Sequence, residues 1–206
     1  MRTVVLLRVL ERVCLAIGIV ALGWYGTVRL AAVREQAALS RELENARAVP
    51  SAFVHTPARL KTRALVGRIE IPRLKLSALA REGVDVSTLR GSVGHVPGTA
   101  MPGDAGNAAF AAHRDTFFAP LRDVRRGDEV VVTTPAGIHR YAVVSTRIVD
   151  PSDVTVLRPT DGRTLTLVTC YPFDYIGTAP RRFIVQAELR AAAPHKRTAT
   201  LASRAR

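Results

Sequence analysis

Cysteine is scarce in this chain, and the two that occur sit in segments of different kinds. Cys14 lies inside an apolar N-terminal run, whereas Cys170 ends a period-2 apolar strand, Thr164-Leu-Thr-Leu-Val-Thr169. Neither offers the other a disulfide partner, so a disulfide-stapled scaffold is excluded. Cys170 is left as an unpaired thiol in a chain bound for an oxidising compartment. Free cysteine is commonly an inert, buried small hydrophobe, so the neighbours of Cys170 decide its meaning. Aromatic residues are also few, at 5%, and a core must be built from Val, Leu, Ile and Ala. No His or Cys residues fall at metal-ligand spacing. A Walker loop, a dinucleotide fingerprint and a Gly-x-Ser-x-Gly elbow are all absent, as are internal repeats.

Acid is missing from the last 17 residues, which carry five basic groups and account for much of the net charge of +13. Residues 61–189 hold 17 basic against 13 acidic groups, so the central region is only mildly basic. No stretch interleaves aromatic with basic residues as a single-strand binder would, and nucleic acid is not an expected partner. Residues 191–206 read as a basic, disordered tail able to meet anionic lipid head groups or to remain solvated.

At the other end, Arg2, Arg8 and Arg12 precede an uncharged apolar run, Val13 to Val28, closed by Arg29. A spanning helix wants about 20 apolar residues. Flanking arginines that snorkel, with Trp24 and Tyr25 at interface depth, let this shorter run cross. A cleaved signal peptide is the rival reading, but Trp, Tyr and Arg crowd the place where a small-residue cleavage site belongs. Basic residues ahead of the run favour a single pass with the N-terminus cytoplasmic and the remainder extracytoplasmic.

The expected organisation is a membrane anchor over 1–32, a juxtamembrane helix and linker over 33–64, a β-barrel domain over 65–190 and the tail over 191–206. Leu39, Leu43 and Ala46 recur at helical spacing, and Pro50 and Pro57 mark an extended stretch after them. From Gly67 the pattern turns to β. Arg68–Ile71, Asn107–His113, Glu129–Thr134, Ile138–Val144, Thr164–Thr169 and Arg182–Leu189 read as strands, with Pro135-Ala-Gly137 as a hairpin turn. One short helix is predicted at about 117–124, capped by Asp115 or Thr116, and a long loop between Gly91 and Gly106. Many short strands with little helix predict a mainly β protein, a closed or nearly closed barrel preceded by a transmembrane helix.

His113 ends one predicted strand, Cys170 ends another, and Arg181 and Arg182 open a third. Strand ends can meet at one rim of a barrel. A thiol works as a nucleophile only as thiolate, which a nearby cation favours. Acyl transfer also needs a proton donor for the leaving amine and donors for the oxyanion. His55, His139 and His195 have no such context, and His95 in Val-Gly-His95-Val-Pro-Gly reads as structural.

Four pieces in order resemble the sortases, cysteine transpeptidases of bacterial surfaces, and their class D branch in particular. They are Gly67-Arg-Ile-Glu-Ile-Pro72, Asn107-Ala-Ala-Phe-Ala-Ala-His113-Arg-Asp, Thr166-Leu-Val-Thr-Cys170-Tyr-Pro-Phe and Ala179-Pro-Arg-Arg182-Phe-Ile-Val. The resemblance implies an eight-stranded sortase-like barrel with catalytic His113, Cys170 and Arg182, and Thr169 in substrate binding or the oxyanion site. Arg181 competes for the arginine role, but the family places that residue directly before an apolar strand, which fits Arg182. The resemblance further implies cleavage of a C-terminal Leu-Pro-x-Thr-Gly-like sorting motif on surface proteins, through a thioacyl intermediate resolved by an amine from a wall precursor or protein. No cofactor is expected, and no metal ligand set is read from the residue spacing. L,D-transpeptidases and papain-like hydrolases fit poorly, since Leu-Val-Thr precedes Cys170 and the histidine comes first. The remaining alternative is a non-catalytic, membrane-tethered β-domain that binds wall polymer or partner proteins.

Overall fold

The computed structural model describes residues 2–48 and 63–190. The predicted linker at 50–63, all but its last residue, and the tail at 191–206 lie outside them. Helix α1 runs from Arg2 to Ala48 without a break. The eight strands are β1 (Leu65–Ile71), β2 (Leu76–Glu82), β3 (Val93–His95), β4 (Gly106–Ala111), β5 (Glu129–Thr134), β6 (Gly137–Val149), β7 (Arg163–Tyr171) and β8 (Arg181–Leu189). They close a barrel in the order β1-β2-β3-β4-β7-β8-β6-β5, with β5 returning to β1. The β2–β3 and β4–β7 pairs are parallel and the others antiparallel.

Strand alternation builds the interior. Ile69, Ile71, Phe110, Val132, Leu165, Leu167 and Val185 point inward and are almost wholly buried. The shortage of aromatics is answered by aliphatic packing around a few rings. One of them, Tyr141, is buried, and its hydroxyl accepts a hydrogen bond from the Gly103 N–H at 2.8 Å. Burial pushes its phenol above the ordinary value. Gly67 sits at a bulge in β1 where a Cβ would lie 2.3 Å from the Thr133 carbonyl oxygen, so only glycine lets β1 approach β5 there.

The β5–β6 hairpin forms where Pro135 and Gly137 predicted it, and the Thr134 hydroxyl closes the turn by accepting the Gly137 N–H at 3.1 Å. Two features differ from the sequence expectation, and a third, β2, falls where the sequence reading assigned no element. The stretch Gly91–Gly106 contains a strand, β3, held between β2 and β4. The expected helix near 117–124 is a short 3-10 turn, Ala119–Asp123, which neither Asp115 nor Thr116 caps. Leu-Ser-Ala-Leu-Ala-Arg-Glu82 forms β2 although its residues favour helix, because two flanking strands satisfy its backbone. The following helix α2 (Val86–Gly91) starts at Asp85, whose carboxylate accepts from the Ser87 and Thr88 N–H groups at 3.0 Å each.

Turns outside the barrel are tied by charge. The Arg73 guanidinium grips Asp128 through Nε at 2.5 Å and Nη2 at 2.7 Å, joining the β1–β2 turn to the approach of β5. That hydrogen bond, with help from the Arg125 N–H, holds the Asp128 carboxyl below its usual range despite burial.

Candidate active site

Strand β7 carries the candidate nucleophile between two partners. In the parallel β4–β7 pair, Ala109 faces Thr166 and Ala111 faces Val168. Beyond the end of β4 the contact continues: the Ala112 N–H donates to the Val168 carbonyl at 3.2 Å, and the Thr169 hydroxyl donates to the Ala112 carbonyl at 2.8 Å. His113 lies two residues past Ala111, as Cys170 lies two past Val168, so the two leave the β4–β7 pair at the same end of the barrel. On the other side, the antiparallel β7–β8 pair sets Cys170 opposite Arg182. Neighbouring strands lie about 4.8 Å apart, which sets the spacing between the Cys170 and Arg182 backbones.

Alternation also fixes the face. Thr169 is 2% exposed and points into the barrel, whereas Cys170 is half-buried and points out. Arg182 is half-buried and His113 exposed. Arg181 is exposed and stands opposite Tyr171, so Arg182 is the arginine in register with the thiol. The Arg182 Nη1 donates to the Ala179 and Arg181 carbonyls at 3.3 and 3.1 Å, which holds the guanidinium at the start of β8. The Thr169 hydroxyl is committed to Ala112 and faces away from the groove, so its visible work is to pin the strand end that carries His113.

Outside the barrel, Val168, Arg182 and Ile184 form the floor of a groove of about 100 Å³. Its wall is the β6–β7 loop, with Pro151, Val154, Val156 and Leu157. That loop is built rather than loose. Asp150 accepts from the Ser152 N–H and hydroxyl at 3.1 and 2.8 Å. Asp153 does the same with Thr155 at 3.0 and 2.5 Å. These bonds, aided by nearby arginines, keep both carboxyls below the usual range. The buried Asn107 ties the loop to the sheet: its amide donates to the Val156 and Arg158 carbonyls at 3.0 and 3.2 Å and its oxygen accepts from Thr166 at 2.8 Å. Sequence reasoning passed over Asn107. The available signal was a single polar residue heading a run of alanines.

A second loop is tied to the segment that follows β4. Between β7 and β8, Tyr175 and Gly177 offer carbonyls to the Arg114 Nη2 at 2.5 and 3.1 Å. Arg114 follows His113 directly, so the loop joining Cys170 to Arg182 is latched by the side chain of the histidine's neighbour. A weaker exposed pair, Arg122 with Asp174 at 3.0 Å, supports it. His95 stands apart from the groove. It is 2% exposed, with Nδ1 2.6 Å from the Glu82 Oε2 and Nε2 2.9 Å from the Ala100 carbonyl, and it stacks edge-on to Phe110. Among the described residues no group of three or more His, Cys, Asp or Glu side chains is placed to hold a metal.

The family profile describing a sortase domain matches residues 69–190. Sortase D of Bacillus subtilis (strain 168) is 34% identical over 120 residues, 58% of this chain and 61% of that protein. Sortase A of Listeria monocytogenes is 28% identical over 130 residues, 61% of this chain and 57% of that protein. The chain thus spans about three-fifths of the length of these two curated relatives. Among solved structures, a Clostridium perfringens sortase D transpeptidase superposes with a TM-score of 0.67 at 26% identity, over 77% of this chain and 99% of the other. Listeria monocytogenes sortase A gives 0.57 at 26% identity, over 62% and 88%. With its matching domain, barrel order and class D likeness, this chain belongs to the sortase family of cysteine transpeptidases.

Proposed function

We propose that this chain is a membrane-anchored transpeptidase that cleaves a Leu-Pro-x-Thr-Gly-like sorting motif near the C-terminus of surface proteins and passes the acyl group to an amine. The observation that supports the reading is the β7–β8 register, which pairs Cys170 with Arg182 beside the groove, with His113 two residues past the end of the neighbouring strand β4.

In the first half, the Cys170 thiolate attacks the carbonyl carbon of the motif's threonine. Arg182 donates hydrogen bonds to the oxyanion that forms. The C–N bond then breaks, the departing amine takes a proton from the His113 imidazolium, and a thioester remains on the sulfur. In the second half an amine, from a wall precursor or another protein, attacks the thioester carbonyl. His113 takes the proton from that nitrogen, the C–S bond breaks, and the thiolate and imidazolium are restored. Thr169 serves by holding Ala112, and so His113, in register. The aliphatic groove wall suits the apolar leading residues of such a motif.

The apolar segment Leu10–Thr27 has a mean hydropathy of 1.3 and none of it is buried by the rest of the chain. It serves as the single-pass anchor, with the N-terminus cytoplasmic and the barrel outside. Incubation with a sorting-motif peptide library and an amine acceptor tests the function. A ligated product that disappears in Cys170→Ala is expected, and thiol alkylation should be slowed by the peptide. An alkylator-resistant Cys170 with no product would favour a non-catalytic, membrane-tethered binding domain.

A further inference from the structure

Helix α1 does not end at the apolar segment. Its later turns lie against the barrel, where Gln36, Leu39, Ser40 and Leu43 share one face at i, i+3, i+4 and i+7 spacing. Leu39 and Leu43 are 1% and 4% exposed and pack with Leu79 of β2 and Leu65 of β1. The Gln36 side chain does what a neighbouring strand would do. Its Oε1 accepts the Leu79 N–H at 2.8 Å and its Nε2 donates to the Gly91 carbonyl at 2.7 Å, closing the gap where β3 has not yet begun. Arg68 on β1 donates to the Ser40 hydroxyl at 2.8 Å. A segment with no partner on the barrel has no reason to carry this set.

The dock has a defined place. In the closed ring of eight, β1 and β2 stand four positions from β7 and β8, diametrically across the barrel. The helix therefore grips the wall opposite the one that carries Cys170 and Arg182. Height is set as well. Gln36 lies nine residues beyond Thr27 on one continuous helix, a rise of about 14 Å.

We propose that α1 is a strut: one rigid helix that crosses the bilayer, holds the barrel at a fixed height of one to two nanometres and turns the groove away from its own axis. The site then meets only substrates whose scissile bond lies within a narrow band above the membrane. This rests on Leu10–Thr27 spanning the bilayer. The cross-link described below does not, so the two claims fail separately.

The test uses the full chain with Cys14→Ser and Cys170→Ala, labelled at Ala136→Cys on the exposed β5–β6 turn and reconstituted in lipid nanodiscs. Energy transfer to a head-group dye reports the label's height. Seven alanines inserted between Val33 and Arg34 lengthen the helix by two turns, and the label should retreat by about 10 Å. Leu43→Asp should broaden the distance distribution without lowering the barrel's thermal midpoint. In detergent, with no bilayer present, Leu43→Cys and Leu65→Cys in the unlabelled background should form a disulfide on oxidation. An unmoved label after the insertion overturns the strut, as does failure of the cross-link in a folded chain. A chain that cross-links but does not incorporate into nanodiscs overturns the height through the membrane reading alone.

Discussion

Three side chains would carry the chemistry, two on the adjacent strands β7 and β8 and one just past the end of β4, and each can be removed singly. Cys170→Ala should abolish thioacyl formation. His113→Ala should lower turnover by about 10²–10⁴-fold, the range for a lost general acid and base. Arg182→Ala should cost about 10²–10³-fold, as loss of an oxyanion donor does, and Arg181→Ala far less. Steady-state kinetics with a cleavable sorting peptide distinguishes them, and equal losses from the two arginines would remove the assignment of Arg182. Thr169→Val keeps the shape but leaves the Ala112 carbonyl without its partner, at about 1–3 kcal/mol of stability; thermal unfolding measures that. The residue types were legible in the sequence because each candidate lies at the end of an apolar run. Their register was not, since pairing between Ala111 and Val168 joins residues 57 positions apart and nothing local encodes it. The inward turn of Thr169 follows from alternation once Cys170 is placed on the outer face.

Among the elements, the β7–β8 loop is held by the residue next to His113. Arg114 acts there as a positioning residue, so Arg114→Ala should lower kcat by about 10–100-fold while KM changes little. Arg114→Lys, which can still donate to one carbonyl, should recover part of the loss. An Arg114→Ala defect confined to KM would contradict this. The Arg73–Asp128 pair makes a different kind of claim. Its folded carboxyl titrates below the unfolded value of about 3.9. The stabilisation is therefore fully present above pH ~4 and lost as pH falls through the depressed value. Asp128→Asn should lower the thermal midpoint near neutrality, modestly because Arg73 is nearly half exposed. The gap from the parent should narrow as pH falls below about 4 and close once the depressed carboxyl is protonated. Strands with clean alternation or turn signals, β1, β5, β6, β7 and β8, were readable in advance. β2 and β3 were not. The first is composed like a helix, the second is three residues long among glycines, and both exist because their neighbours offer hydrogen bonds.

For the molecule as a whole, the barrel and the helix dock bury separate apolar clusters, so one can open without the other. Gln36→Ala should speed hydrogen exchange at the Leu79 amide, which loses its acceptor, and leave the β7 amides unchanged. Matched acceleration across both regions would mean that the dock and barrel unfold together. The sequence announced an apolar segment followed by a helix, but not that they are one helix or that it touches the barrel. The apolar spacing of Leu39 and Leu43 was visible, whereas the surface awaiting them is made of β1 and β2, one of which had no signal. The central claim is that Cys170 is a nucleophile activated by its neighbours, and intact-protein mass spectrometry after brief exposure to a sorting-motif peptide tests it most directly. The parent chain should gain the mass of the acyl fragment on Cys170, released by an added amine, and His113→Ala should gain almost none. Peptide turnover with no mass on Cys170, or an adduct that forms equally well without His113, would contradict it.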